Sequence, residues 1–423
     1  MTQYNKQIDR RHMLKGAAGA SLVLAAGCVS TTDDDNGDDD DDGATDAGSD
    51  DEDAYEIGMV DALTGSIADF GERNQRGLEI ALNDINEVGI DGRELSVNVQ
   101  DSESESNSGV SAARNLVDQE GVPFLIGAVG SGVSISIYES VVQDTDVVQL
   151  SQNSTGLALT NFPDLLRMSP SGVAQSNALA EIILDDGYDE VAVTYINDEF
   201  GESLTEAFVD AYDGEVVLEQ AHDPEQASYS GVLSDMNGSG AEAWLFITYQ
   251  EEFATQVNDM FSAGYEAQLY GADSNRGDTV INNTPEGSMD GMKLVEPSAP
   301  VDQDNYQAFA EQFEDEFDAE PTVWSAFTYD CVVTAALSIL AADDFTGSAL
   351  GEVVRDVTRP EGEEVFTYEE AHDILADGGT ADDIDYQGVS GPIDFDENGD
   401  PLGALQIFEV QDHEYVPTEF IEG

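Results

Sequence analysis

The chain has 423 residues and carries 90 acidic against 13 basic side chains, a formal charge of −77. That balance argues against nucleic-acid binding, because almost nothing basic is available to meet phosphates. The two cysteines, Cys28 and Cys331, are too far apart and too different in setting for a disulfide framework.

The charge is spread along the whole sequence. Thirteen acids fall in Asp33–Asp53 and one is Asp9, while Lys6, Arg10, Arg11 and Lys15 lie in the leader. The body from Ala54 onward therefore carries 76 acids and 9 bases, or −67. At low ionic strength such a charge repels itself and destabilises a compact state. At molar salt the screening length shrinks to about 3 Å, so the composition points to an acidic protein of a hypersaline medium. Disorder is the other reading of high charge. It suits residues 29–53 but not the body, where apolar residues recur at strand and helix periods.

Residues 1–28 read as an export signal. Asp9-Arg10-Arg11-His12-Met13-Leu14-Lys15 looks like a twin-arginine motif. The apolar run Ala17–Gly27 is too short to span a bilayer. It ends in LAAGC, which resembles a lipobox, so Cys28 is expected to be lipidated. Ala25 stands where such boxes usually carry leucine. Residues 29–53 read as a solvated acidic tether, reaching on the order of 25–30 Å as a coil. Leader, anchor and tether describe a domain held at the outer face of the cytoplasmic membrane.

In the body, Tyr55–Val60 reads as a strand, Asp61–Glu72 as a glycine-rich loop and Gln75–Val88 as an amphipathic helix. Arg93–Val99 alternates like a strand, and Gly109–Glu120 reads as a helix. Phe124–Gly127 and Val147–Leu150 are short apolar strands flanking a helix over Ser131–Gln143, a βαβ unit whose strands are parallel. A second series follows. Helices are expected at Val173–Leu184, Ser203–Ala211, Tyr229–Met236 and Glu252–Ala263; strands are expected at Val191–Ile196, Glu215–Leu218, Trp244–Thr248 and Gln268–Gly271. Two α/β blocks of like grammar imply two lobes with a cleft, where ligand pockets gather. Further on, Tyr306–Phe317 and Thr328–Ala342 read as helices, with Cys331 in the core. DFDENGD resembles the start of a calcium loop, but its twelfth position is Leu405 rather than glutamate, so it reads as a turn between two strands.

The loops after the two central strands, around Gly130–Gly132 and Ser151–Thr155, open at the carboxyl edge of a parallel sheet. A glycine-rich turn entering a helix offers free N–H groups to an anion. Ser131 and Thr155 are accordingly candidates for holding the anionic end of a small ligand; plain helix capping is the alternative.

These stretches resemble the type I solute-binding proteins of ABC importers, in the leucine/isoleucine/valine-binding group. The resemblance is carried by IGMVDALTGSIADFGERNQRGLEIALNDIN, FLIGAVGSGVS, VVQLSQNSTGLALT, VAVTYINDEFGES and GPIDFDENGD, in that order across Tyr55–Val416. It implies two lobes, each a mostly parallel sheet flanked by helices, joined by three crossovers near Met168–Pro170, Val295–Pro297 and Leu402–Phe408. Lobe 1 would comprise 54–169 plus 296–404, and lobe 2 would comprise 170–295 plus 405–423. The resemblance places Val129, Gly130, Ser131, Asn153, Ser154 and Thr155 at the ligand's carboxylate and backbone. It places Asp273 at its ammonium, and Phe70, Phe200 and Tyr249 over it. Phe70 and Phe200 stand where tyrosine is usual, and Ser104 and Gly130 stand where the family has a disulfide. The ligand is then a branched-chain or other small amino acid, or a related amide or urea-type solute. The resemblance implies no cofactor, no bound metal and a monomer that delivers its ligand to a permease.

Lys6, Lys15 and Lys293 sit in no phosphate-binding lysine motif, so the permease and the ATPase would be separate chains. A ligand sensor feeding a signalling receptor is the alternative with the same fold. A hydrolase is disfavoured: there is no G-x-S-x-G elbow, and His222, His372 and His413 lack metal-like spacing and are expected at the surface.

Overall fold

The computed structural model describes residues 54–401 and 403–421; Cys28, the twin-arginine stretch, the acidic segment and Leu402 lie outside the described residues. The first sheet is built from β1 (Tyr55–Asp61), β2 (Leu95–Asp101), β3 (Phe124–Gly127), β4 (Val148–Ser151) and β5 (Leu165–Arg167). Its order is β2-β1-β3-β4-β5 and every pairing is parallel. β3 and β4 are buried at every residue, as parallel strands covered on both faces must be.

The second sheet takes β6 (Glu190–Ile196), β7 (Glu215–His222), β8 (Ala243–Ile247), β9 (Gln268–Gly271) and β10 (Lys293–Ser298). A small third sheet of β11 (Glu363–Val365), β12 (Ile384–Gly388) and β13 (Gly391–Pro392) comes next. β14 (Ala404–Gln411) and β15 (Glu414–Ile421) then complete the second sheet, in the order β15-β14-β10-β9-β8-β6-β7. Its β6–β10 part is parallel, whereas β14 runs antiparallel to β10 and β15 to β14. The chain thus passes between the sheets after β5, after β10 and between β13 and β14. Val295–Pro297 lies inside β10. Pro297, which cannot donate to a ladder, falls beyond the parallel pairing with β9, which covers Lys293 and Leu294.

The helix Val323–Ala341 is mostly apolar and buried on nearly every side in the core of the first lobe. Cys331 is fully buried there. Asp330, on the same helix, accepts hydrogen bonds from Tyr386 Oη (2.8 Å), Val389 N (3.0 Å) and Ser390 N (2.8 Å), which fastens the small sheet to the lobe.

Several elements begin earlier than periodicity suggests. The helix expected over Gln75–Val88 starts at Ala68, so Phe70 sits in its first turn rather than in a loop. Gly71 looked like a loop residue, but it serves close packing: a Cβ there would lie 2.0 Å from the Ala62 carbonyl oxygen. Likewise the helix expected from Ser203 starts at Glu199, capped by the Asp198 carboxylate, and takes in Phe200. DFDENGD forms a turn in which Asp396 Oδ1 accepts from the backbone of Asn398 (2.7 Å) and Asp400 (3.0 Å).

His222 is a correction to the sequence reading. It is buried, not at the surface, because it ends β7 between β6 and the 248–256 region. Its ring nitrogens lie 3.1 Å from Thr194 Oγ1 and 3.0 Å from Thr248 Oγ1, and burial lowers its pKa to about 4.

Candidate functional site

The carboxyl ends of both parallel sheets converge on one small cavity of about 30 Å3. Phe70, Val129, Gly130, Ser131, Asn153 and Thr155 line it from the first lobe, and Phe200, Tyr249 and Asp273 from the second. Nine of the ten ligand-contact residues expected from sequence thus meet at one place. Ser154 is the exception. Its hydroxyl lies 2.8 Å from Ser134 Oγ and 3.3 Å from the Ala128 carbonyl, so its side chain knits the loops together instead of lining the cavity.

The first-lobe end is rich in donors. Gly130 enters the helix Ser131–Ile137 at φ +89°, a conformation that suits glycine. Its N–H is already engaged by the Asn153 carbonyl at 3.1 Å, so the N–H groups without partners among the described residues are those of Ser131 and Gly132. Ser131 Oγ accepts from Gly156 N at 3.0 Å, which leaves its proton to donate. Among the described residues nothing bonds the Thr155 hydroxyl, while the Thr155 carbonyl holds Gly172 N at 2.8 Å. The loop 153–156 rests on Arg167, which donates to the carbonyls of Gly156 (2.7 Å) and Ser154 (3.4 Å).

The second-lobe end is a carboxylate. Asp273 follows β9 and is 3% exposed. Gln175 Nε2 donates to it at 2.8 Å, and among the described residues no salt bridge reaches it. Burial raises its pKa from 3.8 to about 6; the Gln175 bond opposes that rise, and the nearby Glu296 charge adds to it. Glu296 has its own partner, Arg276 Nη1 at 2.7 Å.

Aromatic rings close the sides. Phe200 stacks on Tyr249 with centroids 5.5 Å apart and planes 19° apart, and Tyr249 Oη donates to Asp198 Oδ2 at 2.7 Å. Phe70 meets Trp324 edge-on at 5.3 Å. Across the rim, Thr279 Oγ1 donates to Asp69 and Leu157 N donates to Ser203 Oγ at 3.2 Å, so the two lobes touch around the cavity.

Ile67, Ser274 and Trp324 also line the cavity and were missed from sequence. Trp324 was the most legible of them. Thr322 caps the helix by accepting from Ser325 N, and Pro321-Thr322 before an apolar run is a helix-start signal that moves the start ahead of Thr328. A larger groove of about 520 Å3 lies on the first lobe beside Asp84 and Tyr368. Its polar groups pair with one another: Tyr329 Oη and Gln312 Nε2 both donate to Asp84, at 2.8 and 2.9 Å. The inter-lobe cavity instead holds donors and a carboxylate that still have bonding capacity.

Comparison with known proteins agrees with this architecture. Residues 54–414 match the family described as periplasmic binding protein. A Leu/Ile/Val-binding protein homolog 3 of Brucella melitensis is 28% identical over 224 residues, 51% of this chain and 60% of that protein. The homolog 1 of the same organism is 22% identical over 355 residues, 82% of this chain and 87% of that protein. Among solved structures, LivJ of Streptococcus pneumoniae in complex with isoleucine has a TM-score of 0.75 at 19% identity, covering 88% of this chain and all of that one. A Rhodopseudomonas palustris solute-binding protein in complex with benzoate has a TM-score of 0.71 at 18% identity, covering 87% and 96%. With the type I two-lobed fold and a family match over most of its length, this chain belongs to the periplasmic binding proteins, which are binding proteins and not enzymes.

Proposed function

We propose that the protein is the extracytoplasmic solute-binding component of an ABC importer, capturing a small amino acid or related amide between its lobes. The observation that carries this reading is the polarity of the cavity. Two hydroxyls with free protons, Ser131 and Thr155, stand on one lobe, and a buried carboxylate without a cationic partner, Asp273, stands on the other. A zwitterion satisfies both ends at once, its carboxylate taking the donors and its ammonium the charge. Binding would hold the lobes together through hinge motion at the three crossovers, and the closed form would dock on a permease served by a separate ATPase.

The test is thermal unfolding of the purified full-length chain in molar KCl with a panel of amino acids, amides and urea. A ligand at about a hundred times its dissociation constant stabilises the fold by about 2.7 kcal/mol. The expected result is a rise in Tm with at least one amino acid or amide; no shift with any member of the panel overturns the reading. The acidic surface belongs to the same proposal. Omitting the KCl lowers Tm, because the charge of −77 is then unscreened.

We also propose export by the twin-arginine route and anchoring at the outer membrane face through a lipid on Cys28, on the strength of the leader sequence. Replacing Cys28 by serine releases the protein into the medium. Retention of Cys28→Ser in the membrane fraction rules the anchor out.

A further inference from the structure

Asn153 lines the cavity and is 6% exposed, and its side-chain carbonyl oxygen has no hydrogen-bond partner. Other buried oxygens share that state, among them those of Gln149, Gln152 and Gln175, but Asn153 is the one cavity-lining residue among the described residues to carry such an atom. The amide is not free to turn. Asp61, fully buried at the end of β1, accepts from Ala62 N (3.0 Å) and Asn74 Nδ2 (2.9 Å) at one oxygen and from Gln75 Nε2 (2.8 Å) at the other. A carboxylate surrounded by donors only accepts. Asn74 must therefore face it with the amide NH2, which leaves the Asn74 carbonyl for the next link. Asn153 Nδ2 donates to that carbonyl at 3.0 Å. Each amide's orientation follows from the one before it, and the chain ends with the unpartnered acceptor of a residue that lines the cavity.

We propose that Asn153 Oδ1 is a ligand-reading acceptor, oriented by Asp61 through Asn74, and that the site selects an amino acid whose side chain carries an N–H or O–H donor over its apolar isostere. This rests on the reading of the cavity as an amino-acid site. The ammonium belongs to Asp273 on the other lobe, and the carboxylate to Ser131 and Thr155. The amide of Asn153, tied to the helix that carries Phe70, is left to meet the side chain. An apolar ligand would bury this acceptor unpaired, and a site built around a hydrogen bond rejects the analogue that cannot make it. Asp61 and Asn74 are positioning residues: they touch no ligand and act through the direction of the Asn153 amide.

The experiment is calorimetric titration of the full chain in molar KCl with two near-isosteric pairs, asparagine against leucine and threonine against valine. The expected result is binding of the donor-bearing member at least about tenfold tighter in one or both pairs. Asn153→Ala brings the two members of that pair within about threefold of each other. Asn74→Ala frees the Asn153 amide to turn and lowers the preference ratio; a merely structural role would weaken both members equally and leave the ratio unchanged. Asp61→Asn does the same if it folds, as judged by its Tm. Leucine and valine binding as tightly as asparagine and threonine overturns this inference while leaving the amino-acid site standing. Failure of all four ligands and of every other amino acid overturns both.

Discussion

Replacing Asp273 by asparagine lowers affinity for an amino-acid ligand well over tenfold, a loss of more than about 1.4 kcal/mol, and leaves the fold intact. The substitution is isosteric and its oxygen can still accept from Gln175, so what disappears is the charge that meets the ammonium. The pH dependence gives an independent check. With the carboxyl raised from 3.8 to about 6 by burial, the folded apo protein binds more protons than the unfolded chain between those values. The Asp273 contribution to apo stability is therefore fully present below pH 3.8 and is lost as pH rises through 6. Ligand affinity runs the other way. It is full above pH 6 and falls as Asp273 protonates below it, by about tenfold per unit at the limit. Asp273→Asn abolishes this component of both slopes. Titration calorimetry from pH 5 to 8 reads the effect, and an Asp273→Asn protein with unchanged affinity sinks the assignment.

Replacing Arg167 by methionine costs about 3–5 kcal/mol of stability, the range for breaking a buried ion pair by removing one partner. The Arg167 side chain is fully buried and its Nε lies 2.6 Å from Asp400 Oδ1. It also donates to Thr160 Oγ1 at 2.9 Å and to the carbonyls of Ser154 and Gly156. Removal leaves Asp400 with the Thr160 hydroxyl but no cation, and takes a donor from two carbonyls at once. Adding Asp400→Leu restores part of the loss, because the uncompensated charge goes too. Urea unfolding in molar KCl measures both variants; a loss under about 1 kcal/mol for Arg167→Met would show the pair to be peripheral. Because this arginine supports the loop that presents Asn153 and Thr155, the single variant also weakens ligand binding.

Much of this protein could be read from local chemistry. The strand Phe124–Gly127 coincides with its apolar run and is buried at every residue, as suits a strand covered on both faces. The repeated α/β grammar implied two lobes, and the small polar loops after β3 and β4 marked one wall of the cavity. The first turns of the helices at Ala68 and Glu199 were hidden, because their glycines look like loop residues until a backbone is seen packed against them. The small sheet β11–β13 was also hidden, being too short to show a period.

What the sequence by itself determined is the main strands and helices of the two α/β blocks, their order and the acidic composition, because periodicity, turn residues and charge act over a few neighbouring positions. Which of the 76 body acids are buried, and that Asp273 is the one of them to line the cavity among the described residues, which way Ser154 turns, and that Arg167 finds Asp400 across 233 positions of chain were decided only by the tertiary structure. The reason is physical. Desolvation and hydrogen-bond direction depend on what the packed lobes bring within about 3 Å. The line from Asp61 through Asn74 to Asn153 joins residues 79 positions apart at its last step, and no local pattern encodes which end of an amide is left without a partner.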